Sequence, residues 1–312
     1  MGKRSLFCRM VCLLAVTAAL LSGCGPEEPR RTVPTDAAQG EIPAQCRPIP
    51  VFQDAVFHEE QAQQFDGLRI DLSCLEQGYV ALQAVGESRL KFQIIQGEMK
   101  YNYDISNEGV TSILPLNMGD GEYTLRLMEN VGENKYACIW SETCQVKQTD
   151  EFQCFLRPSD MSAYNEDSAC VAVARELAAR CATDTEVASA VYAYLVEHIC
   201  YDNQKAATVQ SGYIPVPDET LNTGKGICFD YASLAAAMMR SVGIPCKLIT
   251  GYVDQDVYHA WNCFYTREQG WVTVEIRATP NHWQRVDITF AAGGTRAADL
   301  MDDTKYTTRF TY

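Results

Sequence analysis

Several features of metalloproteins are missing from this 312-residue sequence. It contains no Cys-x-x-Cys pair and only four histidines, and no Asp-rich calcium-binding loop is visible. His259 and Cys263 would together supply only half of a zinc site. We therefore expect neither a metal ion nor a cofactor.

Basic residues are also scarce. The chain has 26 Lys and Arg against 40 Asp and Glu, which gives a formal net charge of −14. Such acidity argues against a nucleic-acid partner and against charge-driven binding to anionic lipids. Solubility alone accounts for the acidic surplus, so we infer no cationic substrate from it.

Long apolar runs are absent after the first two dozen residues. A positively charged start precedes the run Met10–Leu21, which closes on Leu21-Ser22-Gly23-Cys24. The run is too short to cross a bilayer comfortably, so residues 1–23 are predicted to be a signal peptide. The closing residues resemble a bacterial lipobox, which implies cleavage before Cys24 and acyl chains on its sulfur. The alternative is an ordinary secretory signal with an incidental cysteine.

The lipobox resemblance sets the expected location. The protein should be extracytoplasmic, anchored by lipid to the outer face of the cytoplasmic membrane. Residues 24–45 hold the lipidated cysteine and then four prolines with almost no bulky apolar side chains. Such a segment cannot bury enough surface to offset its ordering entropy, so we expect a flexible tether.

Cysteine is abundant, with 14 residues. Cys8 and Cys12 lie in the predicted signal peptide, Cys24 would carry lipid, and Cys228 stands apart because it directly precedes a long apolar run. An extracytoplasmic protein can form disulfides, but the spacings of the other ten do not form a recognisable framework, so their pairing stays open.

Residues 46–150 are predicted to form a small antiparallel β-sandwich, of immunoglobulin-like type. Short stretches rich in β-branched, aromatic and aliphatic residues alternate with Gly-containing turns. The predicted strands are Tyr79–Ala84, Lys91–Ile95, Met99–Asp104 and Glu122–Met128. Nothing here indicates catalysis, so we interpret this domain as a spacer or docking module.

Residues 151–312 are predicted to form an α+β domain, with helices packed on an antiparallel sheet. One predicted helix opens at Glu166 or Asp167 and a second opens at Asp184. The segment Asn203–Thr223 has no clear periodicity and directly precedes Cys228, so it should be a loop that lines a cleft. The predicted strands are Cys246–Val253, Val257–Tyr265, Trp271–Ile276 and Trp283–Thr289.

The sequence GKGICFDYA, residues 224–232, places a cysteine directly after two glycines and before a long apolar helical run. Cys228 should therefore lie in the first turn of a buried helix. The positive end of the helix dipole favours a thiolate, and free backbone N–H groups there can stabilise an oxyanion. These are properties of a nucleophilic cysteine, although a cysteine that simply packs is the alternative.

Two later residues could complete a catalytic triad. His259 lies in a predicted strand as general base, and Asp287 in a later strand could orient its ring. Glu275 has a similar setting and is the alternative carboxylate. His198 near a helix end and Asp230 in a first helical turn are better explained by the helix dipole. Tyr201 or Tyr213 could supply the second oxyanion donor.

Four stretches together resemble the transglutaminase-like cysteine-catalysis domain of bacterial secreted proteins. They are GKGICFDYA, SVGIPCKLITGY, YHAWN and WQRVDITF, and the resemblance covers roughly residues 150–312. It implies a Cys228–His259–Asp287 triad that transfers acyl groups from protein or peptide amides. Ile288 stands where the family's Asp-Pro-Thr-Phe motif has proline.

The resemblance leaves the acyl acceptor open. Water would make the protein a cysteine peptidase or amidase, which we favour, and an amine would make it a transglutaminase. A non-catalytic envelope binding or scaffold protein with this fold is the alternative from another class. The oligomeric state cannot be read from the sequence.

Overall fold

The computed structural model describes residues 46–253, 257–274, 276–279, 282–285 and 306–312. They belong to one compact unit, 42–312. The predicted boundary near residue 150 therefore stays a prediction. Residues 1–45, with the predicted signal peptide, Cys24 and tether, lie outside the described residues, as do Glu275 and Asp287.

Two four-stranded antiparallel sheets form the first half. Their strands are β1 (Gln63–Phe65), β2 (Leu68–Asp71), β3 (Tyr79–Val85), β4 (Leu90–Gln96), β5 (Met99–Ile105), β6 (Glu108–Pro115), β7 (Gly121–Gly132) and β8 (Lys135–Val146). One sheet has the order β1-β2-β3-β6 and the other β5-β4-β7-β8. The sheets share one apolar core, because alternate residues such as Leu82 in β3 and Phe92 in β4 point inward. We call this part the sandwich; its immunoglobulin-like topology stays a prediction.

The four strands predicted for the sandwich are confirmed, and four others were missed. β8 is the longest of the missed strands, and most of its side chains are only partly buried or exposed. It pairs with β7 along nearly its whole length. Tyr101, Tyr103 and Tyr123 are buried in the sandwich core, so they pack inside it and do not form an exposed face.

The second half contains five helices within the described residues. They are α1 (Ala169–Ala178), α2 (Asp184–His198), α3 (Asn203–Thr208), α4 (Pro217–Thr223) and α5 (Cys228–Ser241). α5 is the central helix: every residue from Asp230 to Ser241 is buried. The expectation of a helix buried around most of its circumference is confirmed.

α1 starts two to three residues later than predicted. Its first two backbone N–H groups, of Ala169 and Cys170, donate to the carboxylate of Asp218, each at 2.9 Å. Because this cap comes from α4, its effect on the start of α1 cannot be read from the local sequence.

The sheet beneath α5 is antiparallel, as expected, but its membership differs. Its strands are β11 (Cys246–Val253), β12 (Val257–Thr266), β13 (Gly270–Val274) and β16 (Tyr306–Thr311), in the order β13-β12-β11-β16. The described residues also contain two short strand pairs, β9 (Cys200–Tyr201) with β10 (Lys225–Gly226) and β14 (Ile276–Thr279) with β15 (His282–Arg285). Two 3₁₀ helices, Leu75–Gln77 and Gln153–Phe155, are present as well. The predicted strand Trp283–Thr289 is confirmed for residues 283–285, but these pair with β14 and not with the main sheet. Residues 286–289 lie outside the described residues, and β16 pairs with β11 at the edge of the main sheet.

β16 also joins this sheet to the sandwich. The ring of Tyr101 lies 5.3 Å from that of Phe310 and 5.7 Å from that of Tyr312, and its hydroxyl accepts a hydrogen bond from the Thr311 backbone at 3.1 Å. The same strand therefore packs against both parts of the unit.

Arg240 is a buried charge that ties these layers together. Its side chain is 2% exposed, and its guanidinium donates to the backbone oxygens of Cys246, Arg157 and Tyr312 at 2.8, 3.0 and 2.9 Å. A buried cation is tolerated here because three oxygens satisfy its donors.

Ten cysteines are free thiols, namely Cys74, Cys138, Cys144, Cys154, Cys170, Cys181, Cys200, Cys228, Cys246 and Cys263. Over the ranges that the structure describes, no helix has the length and hydrophobicity needed to span a membrane.

Candidate active site

The two glycines before Cys228 have different structural roles. Gly224 ends α4 in the left-handed conformation, with a φ of 62°. Gly226 has ordinary backbone angles, but a Cβ atom there would lie 2.7 Å from the Cβ of Asp230. Glycine is therefore needed at 226 because the chain passes directly against the first turn of α5.

Asp230 fixes the start of α5. It is completely buried, and its carboxylate accepts from the backbone N–H of Ile227 at 2.8 Å. The ammonium group of Lys205 lies 2.9 Å from the same carboxylate, and the hydroxyl of Tyr213 donates to it. This arrangement confirms that Asp230 is structural: it caps the helix whose first residue is Cys228.

The same network determines what Tyr213 can do. Burial and the adjacent carboxylate raise the pKa of Tyr213 to about 12, so its hydroxyl stays protonated. Burial alone would lower the pKa of Lys205, but its bonds to Tyr213 and Asp230 outweigh this and raise it. Tyr213 is thus committed to Asp230 and Lys205, and it is a poor candidate for the second oxyanion donor.

Cys228 opens onto a cavity of about 650 Å³. The thiol is half-buried at the first position of α5. His259 and Ala260 of β12 line the same cavity, as does Tyr201 next to α3. The structure therefore brings two of the three predicted triad residues to one cavity.

His259 is held on β12 by its neighbours in the sheet. Its ring stacks with that of Trp261, at 6.5 Å between centroids and 17° between planes, and Trp261 is only 4% exposed. Asn262 points the opposite way and donates to the backbone oxygen of Ala232 in α5 at 2.9 Å. The alternation of a β-strand thus places His259 and Asn262 on opposite faces, and Asn262 ties β12 to α5.

Tyr201 is the better placed of the two tyrosines considered for the oxyanion. Burial and the neighbouring Cys228 raise the pKa of its hydroxyl above the ordinary value. A protonated phenol that borders the cavity can donate a hydrogen bond at neutral pH.

The sandwich contributes to the cavity wall, which the sequence analysis missed. Asn102 and Asp104 of β5 line it, opposite residues of the α+β part. Asp104 is held by Arg89 and Lys91 at 3.2 and 3.4 Å, whereas Asn102 is exposed. The alternation of β5 was the available signal, because it turns these residues outward while Tyr101 and Tyr103 point inward. The interpretation of the sandwich as a spacer or docking module therefore omitted its contribution to the cavity wall.

The C-terminal strand supplies another part of the wall. Arg309, Phe310 and Tyr312 line the cavity. The guanidinium of Arg309 donates to the Tyr252 hydroxyl at 3.4 Å. No sequence signal connected this strand with Cys228, since the contact depends on its pairing with β11.

Asn203–Thr223, predicted to be a loop, contains α3 and α4. Asp202 caps α3 from the preceding position, since its carboxylate accepts from the Lys205 backbone at 2.8 Å, and α4 begins with a proline. The intervening residues 209–214 line the cavity, which confirms that this segment forms a wall of the cleft. The prediction that the whole segment is a loop was wrong.

His198, the remaining histidine named in the sequence analysis, has a structural position at the end of α2. The Nδ1–H group of His198 donates to the backbone oxygen of Tyr194 at 2.9 Å, and the imidazole stacks on the ring of Tyr194. His58, Asp71 and Cys74 form a separate group in the sandwich, none of which lines the cavity around Cys228.

Comparison with known proteins identifies the domain that contains this site. Residues 171–276 match the profile of the transglutaminase-like superfamily. The chain contains a transglutaminase-like domain. The matched range includes Cys228 and His259 and ends before Asp287.

Two curated relatives match parts of this chain. Protein-glutamine gamma-glutamyltransferase of Pseudomonas aeruginosa is 30% identical over 102 residues, which are 28% of this chain and 15% of that protein. Kyphoscoliosis peptidase of Mus musculus is 24% identical over 206 residues, which are 62% of this chain and 28% of that protein. The chain thus spans less than a third of the length of either relative.

Solved structures show more distant likeness. A candidate cysteine protease from Cytophaga hutchinsonii is 14% identical, with a TM-score of 0.38 over 75% of this chain and 79% of that chain. Red sea bream transglutaminase is 12% identical, with a TM-score of 0.26 over 63% of this chain and 47% of that chain.

Proposed function

We propose that this protein is a cysteine acyltransferase of the transglutaminase-like type, acting chiefly as a peptidase or amidase on protein or peptide substrates. One observation carries the proposal: Cys228, at the N-terminus of a buried helix, borders the same cavity as His259. A nucleophile and a base reach a substrate together only if they share a cavity.

The proposed reaction begins with transfer of the Cys228 thiol proton to His259. The sulfur attacks an amide carbonyl and forms a tetrahedral intermediate, whose oxyanion accepts from the Cys228 backbone N–H and from Tyr201. The C–N bond then breaks, and the imidazolium returns its proton to the leaving amine. Water or a second amine cleaves the thioester and restores the thiol. Asp287 remains our candidate for orienting the imidazole.

The cavity suits a peptide substrate. Its volume of about 650 Å³ exceeds what a single side chain needs. Aromatic residues form much of its wall, including Phe229, Tyr258 and Phe310. They offer apolar contact and, through the tyrosines, hydrogen bonds to a peptide backbone.

The decisive experiment follows a peptide library by mass spectrometry, with and without a primary amine. We expect cleaved peptides that disappear in Cys228→Ala and His259→Ala but persist in Cys200→Ser, which removes an exposed thiol outside the proposed chemistry. Amine incorporation without cleavage would assign the transglutaminase reaction instead. If no product depends on Cys228, the catalytic proposal is wrong and the scaffold alternative stands.

Alkylation tests the nucleophile independently of any substrate. At neutral pH, iodoacetamide should modify Cys228 faster than the exposed thiol of Cys138. Replacement of His259 by alanine should slow the reaction of Cys228 and leave that of Cys138 unchanged. Equal rates at the two thiols would contradict an activated Cys228.

We also propose that the protein is lipid-anchored at the cell surface through Cys24. The supporting feature is the apolar run that closes on Leu21-Ser22-Gly23-Cys24. Mass spectrometry of the membrane-associated protein should find acyl chains on an N-terminal Cys24, and Cys24→Ala should release it from the membrane. A protein that stays bound after this substitution would refute the anchor.

A further inference from the structure

A second group of reactive side chains lies in the sandwich, where no chemistry was expected. The Nδ1 atom of His58, a carboxylate oxygen of Asp71 and the Sγ atom of Cys74 all lie within 4.8 Å of one another. None of the three lines the cavity around Cys228. Imidazole, carboxylate and thiol together are three of the ligand types that bind zinc in proteins.

The geometry excludes a second Cys–His–Asp triad. The Asp71 Oδ2 atom is 2.9 Å from His58 Nδ1, and the Cys74 Sγ atom is 3.5 Å from the same nitrogen. A catalytic triad needs the nucleophile on one ring nitrogen and the carboxylate on the other. Here the Asp71 carboxylate and the Cys74 thiol both lie next to His58 Nδ1, which is the arrangement expected of three ligands around one metal ion.

The distances are near those of a metal site. Ligands at ordinary zinc bond lengths and tetrahedral angles lie about 3.4 Å apart for N and O and about 3.6 Å apart for N and S. The corresponding separations here are 2.9 and 3.5 Å. For the two pairs that include His58, movements of about half an ångström or less would therefore reach these separations. The third pair, Asp71 and Cys74, has its ligand atoms within 4.8 Å of each other.

The fold holds these ligands in place. Asp71 ends β2 and is completely buried; its carboxylate accepts from the backbone N–H groups of His58 at 2.8 Å and of Ser73 at 2.9 Å. Cys74 is 1% exposed and packs with Tyr79 and Ala81 in a small apolar cluster. The site is thus pre-formed, and backbone bonds orient its carboxylate.

The site is also accessible from solvent. The His58 side chain is 40% exposed, whereas the other two ligands are buried. Ser73 Oγ lies 3.4 Å from His58 Nδ1 and could serve, like a water molecule, as the fourth ligand.

We propose that His58, Asp71 and Cys74 bind one zinc ion, which joins the segment before β1 to the end of β2. Binding converts the Cys74 thiol to a thiolate and releases its proton to solvent, while the imidazole carries its proton on Nε2. The role is structural, since the ion fastens an early segment to the sandwich. The expectation of no metal rested on the missing Cys-x-x-Cys pair, the missing calcium-binding loop and the incomplete pair His259 and Cys263. None of these features involves His58, Asp71 or Cys74.

Cobalt substitution tests the site directly, on the purified full-length chain. We expect one Co²⁺ per chain, with a thiolate-to-cobalt charge-transfer band and the visible absorption of a tetrahedral centre, displaced by one equivalent of Zn²⁺. His58→Ala and Cys74→Ser should abolish the band. The matched controls His198→Ala and Cys138→Ser, which alter residues outside the group, should retain it. A band that survives both ligand substitutions, or no bound metal, would overturn the proposal.

A second measurement keeps the test valid if a ligand variant fails to fold. In the wild-type chain under mild denaturant, Zn²⁺ should slow alkylation of Cys74, read by peptide mass spectrometry, and leave Cys138 unaffected. Equal protection of both thiols, or none, would contradict a site at Cys74. Neither readout depends on enzymatic activity, so the zinc site and the proposed function can fail separately.

Discussion

Replacement of Asp230 by asparagine tests the physical account of the active-site helix most sharply. The carboxylate is fully buried and accepts from the Ile227 backbone, from Lys205 and from Tyr213. Asparagine has nearly the same shape but only one acceptor oxygen, and its NH₂ group is a donor. In either amide orientation that NH₂ group faces a donor: the Ile227 N–H, or the ammonium and phenol groups.

The size of the effect follows from these contacts. A hydrogen bond to a charged group contributes about 1.5–3 kcal/mol, and loss of a helix cap costs about 1 kcal/mol. Lys205 is partly exposed, so water recovers part of its loss. We therefore expect Asp230→Asn to lower the free energy of unfolding by about 2–3 kcal/mol. For a domain of this size, that corresponds to a fall in melting temperature of about 5–10 °C.

Thermal unfolding of the full chain, with Glu219→Gln as the control, measures this effect. Glu219 is an exposed acid on α4, so the same acid-to-amide change should alter the melting temperature by less than about 2 °C. A double-mutant cycle with Lys205→Met should give a coupling of about 1–2 kcal/mol. A stable Asp230→Asn variant with no coupling would refute the view that this carboxylate holds the start of α5.

Three further predictions concern stability, pH and substrate binding. Arg240→Met should lower the free energy of unfolding by about 3 kcal/mol in denaturant titrations, because it leaves three carbonyl oxygens unpaired. The control Arg180→Met, on the surface, should lower it by less than about 1 kcal/mol. Equal effects would contradict the view that the buried Arg240 guanidinium stabilises the fold. Burial raises the pKa of Asp160 to about 6, so the folded chain binds this proton more tightly than the unfolded chain and loses stability as pH rises from about 4 to 6. Asp160→Asn should remove this slope of stability against pH and should raise the free energy of unfolding by on the order of 2 kcal/mol at pH 7. An unchanged slope would show that Asp160 is not its source. Asn102→Ala should raise the KM for peptide substrates roughly fivefold and leave the melting temperature and kcat unchanged. An unaltered KM would show that the part of the cavity wall formed by the sandwich does not contact the substrate.

Much of the local structure could be predicted from the sequence because its signals are local. α2 begins at Asp184, as predicted, where the Thr183 hydroxyl accepts from the Glu186 backbone at 3.1 Å. β11 has the predicted bounds, Cys246–Val253. Caps, periodicity and β-branched runs lie within a few residues of the elements that they define, so one stretch of chain suffices to find them.

The parts that were missed depend on distant contacts. β16 pairs with β11, more than 50 residues earlier in the chain, and its alternation alone does not say which sheet it joins. The metal-binding group combines His58 with residues 13 and 16 positions later, and only the pairing of β2 and the turn after it brings them together. Neither the pairing of β16 with β11 nor the grouping of these three side chains can be predicted from the spacing of residues along the chain.

In the proposed enzyme, the catalytic residues follow from local sequence signals, whereas the residues that would select the substrate come from distant parts of the chain. A cysteine at a helix start and a histidine on a strand each follow from local sequence, and the family resemblance ties them together. The wall opposite them comes from Asn102 of the sandwich and Phe310 of the last strand. These residues lie outside residues 171–276, the range shared with the transglutaminase-like superfamily. Exchange of β5 or β16 side chains should therefore change which peptides bind while leaving the alkylation rate of Cys228 unchanged, since neither strand contributes to the cap that positions the thiol.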